Sequence, residues 1–500
     1  MAYITDLPPE ILELIGNRLD KCALLNVLRT CHLFHRNFSS DLVWKEVTAQ
    51  AATAVAAGDG DSLIDIGTLH THTRKVQALK LCGPLPADYF GLSFPNLTTL
   101  QLQDIAVNNS PTERDREQES KWARVIRLNP TICDIAIYLR HRASGQSTEI
   151  WDAILEFLHR PRQLKVGGSS SMPKFTVQVQ KSFWRAVSRF EELDYNGPVD
   201  QLRIDPHKWA NLTGLQRLSY KSTIPSTYLH IKLFEYCRGL KRLRWSRDAG
   251  VFPVKELLQC LMRSDWPHLD DLALDRVYQS DIEFAPVMYR LPPLKHLRLD
   301  AALFGPQCFN HLKVRQFATL QTLDLIRCEN FTSQMALEVL QGCPHLEVFM
   351  GRQIAMSDLI SMLRRPWVCS GLKRLGVQFE NDLGPLGTAT DANKVVLERL
   401  SRLTSLEEMD MVLNGARGLV RSNVRACRWR LDAGLQQLAT LTRLRIARFD
   451  FSVTHMRTED VQWMVNHWPS LEVLQGYFSL DLEIQQQANA LLNERGIRRH

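Results

Sequence analysis

The segment Leu294-Lys295-His296-Leu297-Arg298-Leu299 decides how this chain folds. In an extended backbone Leu297 and Leu299 point to one side, while His296 and Arg298 point to the other. One such segment cannot bury its own leucines, so it must stack on others like it. The others are present. Leu97, Leu100 and Leu102 repeat its cadence, as do Leu215, Leu218 and Tyr220, then Leu240, Leu243 and Trp245, and Leu269, Leu272 and Leu274. Leu320, Leu323 and Leu325 continue it, followed by Leu372, Leu375 and Val377, and by Leu441, Leu444 and Ile446. Weaker copies centre on Leu79, Ile135, Leu164, Leu193, Phe349, Met409 and Leu474. This makes about fifteen units, mostly about 25 to 30 residues apart.

Between these segments lie amphipathic stretches such as Trp151 to Leu158, Val254 to Met262, Ser333 to Leu340 and Val461 to Trp468. Their apolar residues recur at helical spacing. Pro95, Pro267, Pro344 and Pro469 each stand two residues before a first leucine, where a missing amide stops the preceding helix and turns the chain. The period resembles that of leucine-rich repeats. That resemblance implies an α/β solenoid with parallel strands on a concave face and helices on a convex one. The longer gaps at Asn108 to Glu119, Glu380 to Asn393 and Asn414 to Arg430 read as loops or longer helices, and Gly167 to Ser171 as a short loop.

The front of the chain does not follow this cadence. Asp6 can accept from the free amides of a helix start, Pro8 and Pro9 suit a first turn, and Glu10 suits its positive end. Ile11, Leu12, Ile15 and Leu19 then form one apolar stripe. A second stripe holds Ala23, Leu24, Val27 and Leu28, and Cys31, Phe34 and Phe38 make a third before Leu42, Trp44 and Val47 close the module. So few residues bury little core, which leaves apolar surface for a partner.

Leu7, Pro8, Glu10, Ile11 and Leu12, then Leu19-Asp20, then Cys31 with Phe34, then Trp44, follow a pattern that resembles the F-box. Gly16, Thr30 and Phe34 depart from it. The resemblance implies three to four helices that dock on the Skp-type linker of a cullin-RING ubiquitin ligase. The docking residues it implies are Leu7, Pro8, Ile11, Leu12, Ile15, Leu25, Val27, Cys31 and Trp44. The expected organisation is an F-box over 1–47, a helical linker or hinge over 48–75 containing the Ala-rich run Thr48 to Ala57, and a leucine-rich-repeat solenoid over 76–500.

No GxxxxGK[ST], GxGxxG, HExxH or GxSxG pattern occurs, so the chain carries none of the common catalytic signatures. His70 and His72 flank Thr71 but read as solvated side chains rather than ligands. Eleven cysteines, an odd number without a CxxC pair, read as reduced core thiols. There is no N-terminal signal pattern and no apolar run long enough to span a bilayer, so the expected location is cytoplasm and/or nucleus. A net charge of +7 is modest for 500 residues, and Arg417, Arg421, Arg425, Arg428 and Arg430 lack interleaved aromatics beyond Trp429, so neither nucleic acid nor membrane is expected as a partner.

What remains is protein binding without catalysis or cofactor. Residues flanking the second leucine face outward: Arg217 and Lys221, Arg242 and Arg244, Asp271 and Asp275, His296, Arg298 and Asp300, Arg374, Glu408 and Asp410, and Arg443 and Arg445. Arg217, Lys221, Arg242, Arg244, Arg298, Arg374, Arg443 and Arg445 are the candidate substrate contacts, because guanidinium groups pair well with carboxylate or phosphate. The expected role is therefore a substrate-receptor subunit that reaches a cullin through its linker and holds an acidic or phosphorylated protein substrate. The alternative is an F-box-containing scaffold without ligase activity.

Overall fold

The computed structural model describes residues 45–50, 66–83, 85–103, 113–139, 148–168, 176–196, 212–222, 236–247, 254–263, 266–301, 303–383, 388–411, 427–449, 456–476, 478–479 and 481–499. They fall into two units, 1–240 and 241–500.

In the first unit seven parallel strands follow one another in chain order: β1 (Glu46–Gln50), β2 (Ala78–Cys82), β3 (Thr99–Gln103), β4 (Asp134–Leu139), β5 (Gln163–Gly168), β6 (Glu192–Asn196) and β7 (Arg217–Ser222). Helices α1 (Ile66–Thr71), α2 (Glu113–Leu128), α3 (Glu149–Phe157) and α4 (Val177–Val187) lie between them. The leucine cadence explains the register. Leu79, Leu100, Ile135, Leu164, Leu193 and Leu218 are direct neighbours across successive strands, and all are buried. Each such side chain contributes about 1.5 to 3 kcal/mol when removed from water, but only a stacked neighbour removes it.

The second unit repeats the plan with nine strands: β8 (Arg242–Arg247), β9 (Asp271–Val277), β10 (His296–Ala301), β11 (Thr322–Asp324), β12 (Val348–Ala355), β13 (Arg374–Glu380), β14 (Glu408–Asp410), β15 (Ile446–Arg448) and β16 (Val473–Gln475). Its helices are α5 (Val254–Met262), α6 (Asp281–Arg290), α7 (Pro306–Gln316), α8 (Ser333–Gly342), α9 (Met356–Ser361), α10 (Thr388–Ser401), α11 (Thr458–His467) and α12 (Leu482–Glu494). The last strand is not left bare, because Arg498 bridges Val473 and its carbonyl accepts from the Leu474 amide. That pairing covers the open edge of the ladder.

Polar side chains tie each turn to the next. Ser280 caps α6, with Glu283 completing the reciprocal pair. Asp281, one residue on, caps the following helix: its carboxylate accepts from the amides of Gly305, Gln307 and Cys308 at 3.0, 2.8 and 2.9 Å. Gly305 has no side chain to do this itself, and a Cβ there would lie 2.8 Å from the Asp281 carboxylate. Burial alone would raise the Asp281 carboxyl, but the Cys308 thiol and these three amides outweigh it and hold the group below the usual carboxylate range. Buried Gln316 works similarly, accepting from the Leu294 amide at 2.7 Å and donating to Pro292 at 3.1 Å.

Three local expectations need correction. Thr48 does not begin a helix, since Glu46–Gln50 is strand β1, with Val47 and Ala49 opposite Leu79 and Leu81 and buried. Two buried side chains and a full ladder of hydrogen bonds outweigh alanine's helix preference there. Gly167 and Gly168 belong to β5 rather than to a loop, and a Cβ on Gly167 would meet Tyr138 Cδ1 at 2.6 Å. Glycine is thus required by a neighbouring ring, not by a turn. Finally, β15 is centred on Ala447, not Leu444: Met409, Ala447 and Leu474 are the aligned trio. Leu441 and Leu444 are both fully buried ahead of the strand, which is why the sequence cadence settles on them.

Candidate recognition surface

The outward-facing residues of the strands form rows one residue wide. In the second unit one row runs Arg242, Asp271, His296, Thr322, Val348, Arg374, Glu408, Ile446, Val473. Two residues along each strand a parallel row runs Arg244, Ala273, Arg298, Asp324, Met350, Gly376, Asp410, Arg448, Gln475. Cations and carboxylates therefore meet across adjacent strands.

The meetings are close. Arg242 lies 2.6 Å from Asp271 and Arg244 lies 3.6 Å from the same oxygen. Arg298 sits 3.6 Å from Asp324 and 3.9 Å from Asp275, Arg374 sits 3.2 Å from Glu408, and Arg448 sits 3.6 Å from Asp410. His296 shares a 3.0 Å hydrogen bond with Thr322. In the first unit Arg217 pairs with Glu192 at 3.0 Å, and Arg162 holds Asp134 through two hydrogen bonds of 3.1 and 2.6 Å. Burial pushes the Asp324 carboxyl above the usual range, even though the Ile326 amide and Arg298, Arg374 and Arg327 oppose that shift.

One residue before the strands a third row alternates in sign. Asp270 and Lys295 stand 3.5 Å apart, Glu347 and Lys373 2.8 Å, and Glu472 lies 2.8 Å from Arg445 and 3.7 Å from Arg498. The Arg445 hydrogen bond holds Glu472 below the usual carboxylate range.

Of the sequence-predicted contacts, Arg217, Arg242, Arg244, Arg298, Arg374 and Arg445 are thus each neutralised by a carboxylate of a neighbouring turn. Lys221, at the end of β7, is exposed and engaged as well. Arg443 is exposed and makes no ion pair among the described residues. The shifted frame of β15 moves Arg443 and Arg445 out of the rows flanking the central apolar residue, and Arg448 takes that place. Sequence reading missed Glu192, Asp324 and Arg448, although each occupies the same column of its repeat as the residues it named. The proposed docking residues Leu7, Pro8, Ile11, Leu12, Ile15, Leu25, Val27, Cys31 and Trp44 lie outside the described residues, as do Arg417, Arg421 and Arg425. Arg428 and Arg430 precede a short turn of 3-10 helix, and Arg430 pairs with Asp432.

Among the described residues no three His, Cys, Asp or Glu side chains converge as metal ligands, and no helix is long and apolar enough to cross a membrane. The described cysteines carry no disulfide; all are buried except Cys133, which is half-buried.

Residues 4–50 match the F-box-like family, so an F-box-like domain opens the chain and runs into the ladder, ending on the last residue of β1. No curated protein sequence matches the chain. Among solved structures the chain is similar to the Rad7 and Elc1 complex of yeast, at 13% identity, covering 89% of each chain with a TM-score of 0.36. It is also similar to an internalin of Listeria monocytogenes, at 12% identity, covering 86% of this chain and 93% of that one with a TM-score of 0.32. Likeness at this level assigns neither partner nor function.

Proposed function

We propose that the chain is a non-catalytic adaptor of an SCF-type ubiquitin ligase. The F-box-like domain docks on the Skp-type linker, and through it on a cullin, by way of Leu7, Pro8, Ile11, Leu12, Ile15, Leu25, Val27, Cys31 and Trp44. The repeats hold a protein substrate in the cytoplasm and/or nucleus. The single observation that carries this reading is the order of parts: an F-box-like match over 4–50 followed by parallel ladders whose outward faces are dense in charge. Such a chain works by position, raising the local concentration of substrate lysines near the ubiquitin carrier. In this reading the domains are an F-box over 1–47, a connecting segment, and repeats to the end of the chain, with β1 as the first strand of the stack.

Recognition on the strand face proceeds by exchange. An acidic or phosphorylated substrate reaches Arg242, Arg298 or Arg374 by displacing Asp271, Asp324 or Glu408, which limits the net gain but sharpens the geometric demand. Affinity purification of the full-length chain from cells tests the adaptor reading. Linker and cullin recovered together support it, whereas recovery of neither leaves a scaffold without ligase activity.

A further inference from the structure

On the packed helices α6 and α7, two arginines gather around an aromatic ring instead of a carboxylate. Tyr289, near the end of α6, is exposed, and three groups surround its ring. The Arg290 guanidinium carbon lies 5.6 Å from the ring centroid, that of Arg315 on α7 lies 5.7 Å away, and the His311 ring meets it edge-on at 5.3 Å. Neither Arg290 nor Arg315 makes an ion pair among the described residues. By contrast Lys313, between His311 and Arg315, is neutralised by Glu338 at 2.6 Å. The same two helices expose Val314 at 81% and Ile282 at 67%.

Two guanidiniums held over one ring lose side-chain freedom before any partner arrives, and their positive charge is not offset nearby. Exposed Val314, next to Arg315 in the chain, suits a peptide side chain rather than a phosphodiester backbone. Arg290, Arg315 and His311 already contact the Tyr289 ring, so a stacking base would have to compete with them for it. We propose that the α6–α7 face is a second protein-docking surface, taking an acidic peptide segment whose carboxylates pair with Arg290 and Arg315 while a neighbouring apolar side chain covers Val314. This inference stands on the helix face alone and does not depend on the adaptor reading.

The test is fluorescence anisotropy of a labelled poly-glutamate peptide titrated with the full-length chain at low salt. Arg290→Ala with Arg315→Ala should weaken binding by about tenfold, while Lys313→Ala with Arg402→Ala should change it by less than about twofold, since those two cations are already held by Glu338 and Glu398 at 2.6 Å each. Tyr289→Ala, which frees both arginines without removing charge, should fall between. Thermal unfolding of each variant must match the wild type, and Arg290→Lys with Arg315→Lys, which keeps the charge but not the fork, provides a second variant expected to lose part of the binding. Equal weakening by the Lys313 and Arg402 pair, an unchanged affinity in the Arg290 and Arg315 pair, or tighter binding of a single-stranded oligonucleotide through Arg290 and Arg315 would each overturn the proposal.

Discussion

Arg242 and Asp271 stand 2.6 Å apart across adjacent strands, and Asp271, only 7% exposed, also holds Arg244. The carboxylate is the buried partner and the arginines the hydrated ones, so the two halves of the pair are not equivalent. Arg242→Ala leaves a buried charge with one distant partner and should cost about 1 to 2 kcal/mol, whereas Asp271→Ala lets two arginines rehydrate and should cost less. Denaturant unfolding of both single variants and the double variant checks this. A larger loss from Asp271→Ala would contradict the assignment.

Asp281 supplies a pH dependence of known sign. Its folded carboxyl titrates below its unfolded value, so its stabilisation is present above the ordinary carboxylate range and is lost as pH falls through the lowered folded value. Asp281→Asn should destabilise the second unit by about 1 kcal/mol at neutral pH, the scale of a lost helix cap. The gap between variant and wild type should then close on acidification. A gap that stays constant all the way down the acid limb, to acid unfolding, would mean the caps are not held by charge.

Much of this architecture was legible in the sequence, and the failures share a cause. Segments such as Leu294 to Leu299 announced their strands because each is a complete unit of the repeat. The frame at β15 was not legible, because Ala447 stands in the central apolar slot and two buried leucines upstream mimic the pattern. Strand β1 was hidden because Thr48 and Ala49 read as the start of the Ala-rich run, while their strand conformation depends on a partner, β2, about thirty residues away. Arg217, Arg242, Arg244, Arg298 and Arg374 lie in the rows the cadence gave them, whereas Arg443 and Arg445 do not. Their carboxylates were not matched to them, since pairing depends on register between turns, and register appears only when the turns are stacked. Nothing in the strand cadence pointed to Tyr289, Arg290 and Arg315, which come together only because α6 and α7 pack side by side.

The glycine in β5 makes a sharper test of packing. Gly167→Ala puts a methyl against the Tyr138 ring and should cost about 1 kcal/mol, the low end for overpacking, because the half-buried ring can swing partly aside. The same substitution made beside Tyr138→Ala should cost almost nothing more. Additive losses in the double variant would show that the glycine serves another purpose.

Burial also ranks the thiols. Cys328 and Cys369 are pushed up to about 12 by burial, which keeps them protonated and slow to alkylate at pH 8. Native-state labelling read by peptide mass spectrometry should modify Cys133 ahead of every other described cysteine, and denaturation should release the rest together. Early labelling of Cys328 or Cys369 would show that the second unit opens locally.

The adaptor account rests on the N-terminal apolar stripe, and Leu12 is its most economical probe. Placing an unpaired charge at the centre of the proposed contact, Leu12→Asp should abolish capture of a purified Skp-type linker and its cullin by the full-length chain, while circular dichroism and the unfolding midpoint of the repeats stay at wild-type values. Full retention of linker by the variant, or failure of the wild-type chain to capture linker at all, would contradict the account.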